Sequence, residues 1–153
     1  SIMEAAKPYL IRCTACRAKN RIPADKINHK PVCGKCRQLL DLSGVFADRP
    51  VDVSDSNFDN QVLQSPIPVL VFFWAPWCSV CQSVMPVISR IASGLSGRIR
   101  VVKVNIEQNG RTASRFQVMS VPMMILFDNG REKENMTGAV PELEILKKLA
   151  PYY

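Results

Sequence analysis

Long hydrophobic runs are missing from this 153-residue chain. The longest stretch without a polar side chain other than cysteine or tryptophan is Pro66–Cys78, 13 residues that include three prolines. A membrane-spanning helix needs about 20 apolar residues, and prolines inside would break it, so the run reads as a buried strand and its surroundings. At the front, Glu4, Lys7 and Arg12 interrupt any apolar run, and no secretory signal is expected there. Histidine occurs once, at His29, which leaves none for a catalytic triad or a histidine-rich metal site elsewhere. Cysteine, with 6 residues, is too sparse for a disulfide-stapled scaffold. No internal repeat or low-complexity segment is visible. What is there is ordinary for a globular protein: 47% hydrophobic and 22% charged residues exclude a disordered or fibrous chain.

Charge is unevenly placed. Residues 1–50 carry +6 of the net +7, so a basic front end joins a nearly neutral body. Such a module can contact nucleic acid or an acidic protein, but solvated surface charge is the expected role, and no nucleic-acid partner is expected.

All six cysteines fall into Cys-x-x-Cys pairs: Cys13/Cys16, Cys33/Cys36 and Cys78/Cys81. That regularity points to metal and redox chemistry in a reducing compartment, the cytoplasm. Residues 1–43 show little periodicity and too little apolar content to fold unaided. Residues 44–50 read as a connector. Residues 51–153 alternate strand-like and helix-like patterns: a short strand at 51–53, a helix capped by Ser54 or Asp55 through Phe58, Val62 and Leu63, and a buried strand at Val69–Trp74. A helix from about Cys78 to Leu95 follows, kinked at Pro86, then a strand at Ile99–Ile106 and a short helix at Arg111–Phe116. A hairpin turns at Asp128-Asn129-Gly130, and a last helix near Pro141 carries Leu143, Leu146 and Leu149. Alternation of this kind predicts one α/β layered domain.

Sixteen residues separate Cys16 from Cys33, the spacing of a four-cysteine zinc site. Four thiolates close a tetrahedral ion and leave no position for water, so a Zn²⁺ on Cys13, Cys16, Cys33 and Cys36 is structural. The alternatives are two redox pairs or two disulfides. The third pair differs, because it stands where a buried strand turns into a helix. A helix N-terminus stabilises anions, making Cys78 a thiolate-prone, exposed nucleophile and Cys81, one turn in, a resolving thiol.

Around this pair stand Phe73-Trp74-Ala75-Pro76-Trp77-Cys78-x-x-Cys81, Lys103-Val104-Asn105, Ser120-Val121-Pro122, Phe127-Asp128-Asn129-Gly130 and Gly138-Ala139. In order and spacing they resemble thioredoxin over residues 51–150. With the front cysteines and Asn20-Arg21-Ile22-Pro23, the whole chain is similar to the bacterial zinc-ribbon thioredoxins. The resemblance implies a thioredoxin fold, a central mixed sheet flanked by helices, behind a small N-terminal zinc ribbon. It implies a thiol–disulfide oxidoreductase that reduces protein disulfides through a redox-active Cys78–Cys81 disulfide, supplied by a thioredoxin reductase and acting as a monomer away from membranes. It further implies a cis Val121-Pro122 peptide whose backbone binds an extended substrate beside Trp77. Disulfide oxidase or isomerase activity with the same residues, and a non-catalytic interaction module, are the competing readings.

Three positions depart from that family's pattern. Cys78-Ser79-Val80-Cys81 replaces Cys-Gly-Pro-Cys, Gln82 replaces a lysine or arginine, and Phe72 replaces a buried aspartate. The last leaves Lys103, on the neighbouring strand by analogy, without its carboxylate partner, and predicts that it snorkels outward or loses its proton.

Overall fold

Val69–Trp74 is apolar throughout, and in the computed structural model, which describes residues 7–153, it is the central strand β4, with its first five residues buried. β3 (Val51–Asp52), β5 (Arg100–Asn105), β6 (Met123–Asp128) and β7 (Arg131–Thr137) complete a five-stranded sheet in the order β3-β5-β4-β6-β7. β3, β5 and β4 are parallel, whereas β6 is antiparallel to β4 and β7 antiparallel to β6, so the sheet is mixed. Alternation along β4 divides the core. Leu70 and Phe72 face helices α1 (Ser79–Gly94) and α3 (Glu142–Leu149), where Val84, Ile88, Ile91, Ile145 and Leu149 pack. Val69, Val71 and Phe73 face the other way, onto Phe58, Val62 and Phe127. α2 (Gly110–Arg115) precedes the loop leading to β6. No described helix is long and apolar enough to cross a membrane.

Three local expectations change. Residues after Ser54 form only a turn and one wide helical turn, Asp59–Leu63, rather than a regular helix. Asp55 caps a different helix: its carboxylate accepts from the Thr112 amide at 2.8 Å and hydroxyl at 2.6 Å, at the start of α2. On α3 the buried residues are Ile145 and Leu149; Leu143 is 63% exposed, because Ile145 and not Leu143 shares the inward face with Leu149 four residues on. Pro86 lies inside α1 without ending it. The hairpin turn stands as expected, with Asn129 and Gly130 both at positive φ (52° and 76°), the pair of angles a two-residue hairpin turn requires.

The front of the chain holds two short strands, β1 (Tyr9–Arg12) and β2 (Lys19–Ile22), and an isolated bridge between Val32 and Leu39. The first six residues of the expected 1–43 module, Glu4 among them, lie outside the described residues. Ile11, Cys13, Ile22, Ile27, Cys33 and Leu40 form a small core that takes in Val45 of the connector and Ile67 of the body. The connector is thus packed rather than loose: Gly97 N–H donates to Val45 O at 3.0 Å, and Tyr9 meets Phe46 edge-on with centroids 5.3 Å apart.

Candidate functional site

β4 delivers its C-terminal end to a tight turn, Ala75–Cys78, closed by the Cys78 N–H donating to Ala75 O at 3.1 Å. Cys78 then takes an extended conformation (φ −90°, ψ 103°) and caps α1, its sulfur accepting the Cys81 N–H at 3.1 Å. One of the amides that a helix start leaves unpaired, that of Cys81, is therefore aimed at this sulfur. Cys78 and Cys81 are joined as a disulfide, with Cα atoms 5.2 Å apart. Cys78 is covered more than its helix-end position predicts, 6% exposed against 0% for Cys81. The Val121 carbonyl oxygen lies 3.8 Å from its sulfur and covers it from the other side. The Val121-Pro122 peptide is cis, and Pro122 O accepts the Gly138 amide at 2.9 Å, anchoring this loop to the end of β7.

Trp77 is 65% exposed beside the pair, and Val80 is also exposed. Met119, two residues before Val121, is 91% exposed.

Behind the sulfurs the site is apolar. Phe72 is fully buried in the same cluster as Cys78 and Cys81. Lys103 pairs in register with Phe72 on one side and Asp52 on the other. It does not lack a partner: its ammonium reaches the Asp52 carboxylate at 3.6 Å, on the edge strand, and lies 5.9 Å from the centre of the Trp74 ring. The outward course expected of Lys103 is observed, and Asp52 is the residue that sequence reasoning missed. A polar cleft of about 380 Å³ adjoins Trp74, Lys103 and Asp52.

At the other cysteines, the Cys13, Cys16, Cys33 and Cys36 sulfurs all lie within 4.8 Å of one another. Cys13–Cys36 and Cys16–Cys33 separations are 3.6 and 3.7 Å. A tetrahedral ion bonded at 2.3 Å spaces its sulfurs about 3.8 Å apart, so the set fits Zn²⁺. The chemistry of the donors agrees. The Cys36 amide, then the Asn20 side chain, hold Cys33 down to about 6. Cys36 goes to about 11: the Gln38 amide pulls it down, but burial and the neighbouring sulfurs outweigh it. Four such sulfurs are all thiolates only around a cation. Asn20 ties the set together, donating to Cys33 Sγ at 3.5 Å and accepting the Gly34 amide at 2.8 Å. His29 is exposed on a bend and takes no part.

Comparison with known proteins accords with both sites. Residues 49–151 match the family model described as Thioredoxin, and residues 12–38 match the one described as Thioredoxin 2, N-terminal. The chain is 43% identical over 97 residues to Thioredoxin 1 of Nostoc sp., covering 63% of this chain and 91% of that protein. It is 41% identical over 100 residues to a thioredoxin of Synechocystis sp., covering 65% and 94%. It is also 34% identical over 136 residues to Thioredoxin C-3 of Corynebacterium nephridii, covering 89% and 90%, a match that runs through the front module as well.

Proposed function

The chain belongs to the thioredoxin family, and from that membership we propose that its protein-disulfide reductase activity runs through Cys78 and Cys81. The observation that carries this assignment is the Cys78–Cys81 disulfide at the start of α1, with the Cys81 amide on the Cys78 sulfur. In the reduced enzyme the Cys78 thiolate attacks one sulfur of a substrate disulfide. A mixed disulfide forms and the other substrate sulfur leaves as a thiolate that takes a proton from solvent. Cys81, deprotonated, attacks Cys78 Sγ, the mixed disulfide breaks, and the second substrate thiol departs. Two electrons have passed to the substrate, and the enzyme is left as the disulfide seen here.

Trp77 and the Val121-Pro122 backbone border the groove in which an extended substrate segment lies. Cys13, Cys16, Cys33 and Cys36 hold a structural Zn²⁺, which supplies cohesion to residues 1–43 and no redox chemistry. The partners are disulfide-bearing proteins and a thioredoxin reductase, the setting is the cytoplasm, and the working unit is a monomer of a 1–43 ribbon, a 44–50 connector and a 51–153 body. The test is a Cys81→Ser trap. It should accumulate mixed disulfides through Cys78, and Cys78→Ser should form none. Equal trapping by both variants, or partner binding retained by the double variant without turnover in the parent, would reject the assignment.

A further inference from the structure

Arg100 opens β5 at the seam between ribbon and body, and only 6% of it is exposed. A guanidinium has five N–H donors. Two are spent on backbone: Nη1 donates to Gln61 O at 3.0 Å and Nη2 to Ser43 O at 3.1 Å. Nε is buried with no hydrogen-bond partner. Asp41 attracts the cation through space, without a direct ion pair. Burial lowers the pKa of Arg100, as expected of a charge that loses water without gaining a close counter-charge.

The chain is built closely around this group. Gly44 stands at φ +72°, and a Cβ there would lie 3.1 Å from Arg100 Nη2, so a side chain would both strain the backbone and crowd the guanidinium. Beside Arg100 lies a polar cleft of about 250 Å³, lined by Thr14 and Ser43 on the ribbon side and by Asn60, Gln61 and Gln64 on the body side. We propose that this cleft binds a phosphate-type oxyanion, held by the second N–H groups of Arg100 Nη1 and Nη2, each of which spends only one on backbone, and by polar groups of the surrounding residues. Asp41 also lines it, with its carboxylate engaged by the Ser43 amide at 2.9 Å and hydroxyl at 2.5 Å. That carboxylate opposes a bare anion but accepts the O–H of a partly protonated phosphate. Because the lining comes from both sides of the seam, the bound oxyanion ties the ribbon to the body.

The test uses the zinc-loaded full chain, titrated with inorganic phosphate at an ionic strength held constant with sodium chloride. The Arg100 Nε–H resonance should shift saturably and the melting temperature should rise. A parallel titration with O-phosphoethanolamine distinguishes free phosphate from a phosphate monoester, the tighter binder naming the source. Arg100→Gln should weaken binding at least about tenfold, as loss of a charged hydrogen bond implies. Gln64→Ala, an exposed position, should weaken it to a smaller extent and keeps the test sound if Arg100→Gln does not fold. No response of the Nε–H resonance to either phosphate compound, the same response to chloride alone, or unchanged affinity in the folded variants overturns the proposal and leaves a hydrated cleft.

Discussion

Phe72 fills, at zero exposure, the space behind the redox pair where the family resemblance leads one to expect a carboxylate. Without that negative charge nearby, the Cys78 thiolate is favoured, and stabilising the reduced form makes the couple more oxidising. Equilibration with glutathione should therefore give a potential above about −270 mV, the value for thioredoxin. Phe72→Asp should lower the potential and speed resolution of mixed disulfides, a shift of about 30 mV corresponding to roughly 1.4 kcal/mol. The same change removes a fully buried ring, so a stability loss of about 3–5 kcal/mol is expected beside it. Phe72→Leu, which keeps the site apolar, should leave the potential in place; if it moves the potential as far as Phe72→Asp does, the carboxylate is not the cause. The Phe72 departure was legible in the sequence because the motif around it is contiguous. The compensating ion pair was not, since Asp52 meets Lys103 only through the β3–β5 register, which no local pattern in a two-residue strand specifies.

α1 was legible almost to its ends, because a strand that stops at Trp74, a capping cysteine and an apolar stripe of period 3.6 all agree. Its N-terminus also orders the two thiols. The reduced protein should be alkylated at Cys78 before Cys81 near neutral pH, since only Cys78 meets solvent at all. Peptide mapping that finds Cys81 modified first would reverse their roles. α2 is held differently. Asn109 stands at its N-cap position without a side-chain cap bond, and Asp55, far back in the chain, supplies the acceptor instead. Sequence reasoning gave Asp55 to the segment that follows it because capping rules are local, and here the cap crosses the fold. The Thr112 hydroxyl, then the Thr112 and Arg111 amides, hold the Asp55 carboxyl below the ordinary range against the opposing effect of burial. A depressed carboxyl pKa contributes stability that is complete above the unfolded value near 3.9 and is lost as pH falls through the folded value. Asp55→Ala should cost about 1 kcal/mol at neutral pH, the scale of a lost N-cap. Its stability should also fall less steeply than that of the parent as pH drops from about 5 towards 2. Parallel curves from urea titrations of the two proteins would count against the cap.

The two cysteine sites lie at opposite ends of β4. Arg12 N–H donates to Pro66 O at 2.8 Å, and Ile67 joins the ribbon core, both just before the strand begins, whereas Cys78 follows its far end. Six residues of strand span about 20 Å. Arginines fasten the ribbon there: Arg17 donates to Gln64 O, Ser65 O and Asn129 Oδ1, and Arg98 donates to Lys7 O and Pro8 O. The zinc spacing made the ribbon legible, but its berth was not, because arginine-to-carbonyl contacts leave no periodic trace in a sequence. The ribbon's own core is small and counts Cys13 and Cys33 among its buried members, so the proposed metal joining them would supply its cohesion. The body has its own buried clusters on both faces of the sheet. Chelation should therefore melt residues 1–43 while the body stays folded at a lowered melting temperature, having lost the cover over Ile67 and the Ser43 acceptor of Arg100. Cys13→Ser should release zinc, and the Cys78→Ser, Cys81→Ser double variant should retain it. Disulfide reduction with a small-molecule dithiol as donor should survive chelation, since among the described residues no ribbon contact reaches the α1 start. Loss of that activity below the body's melting temperature would show that the ribbon acts on the redox pair across the length of the sheet.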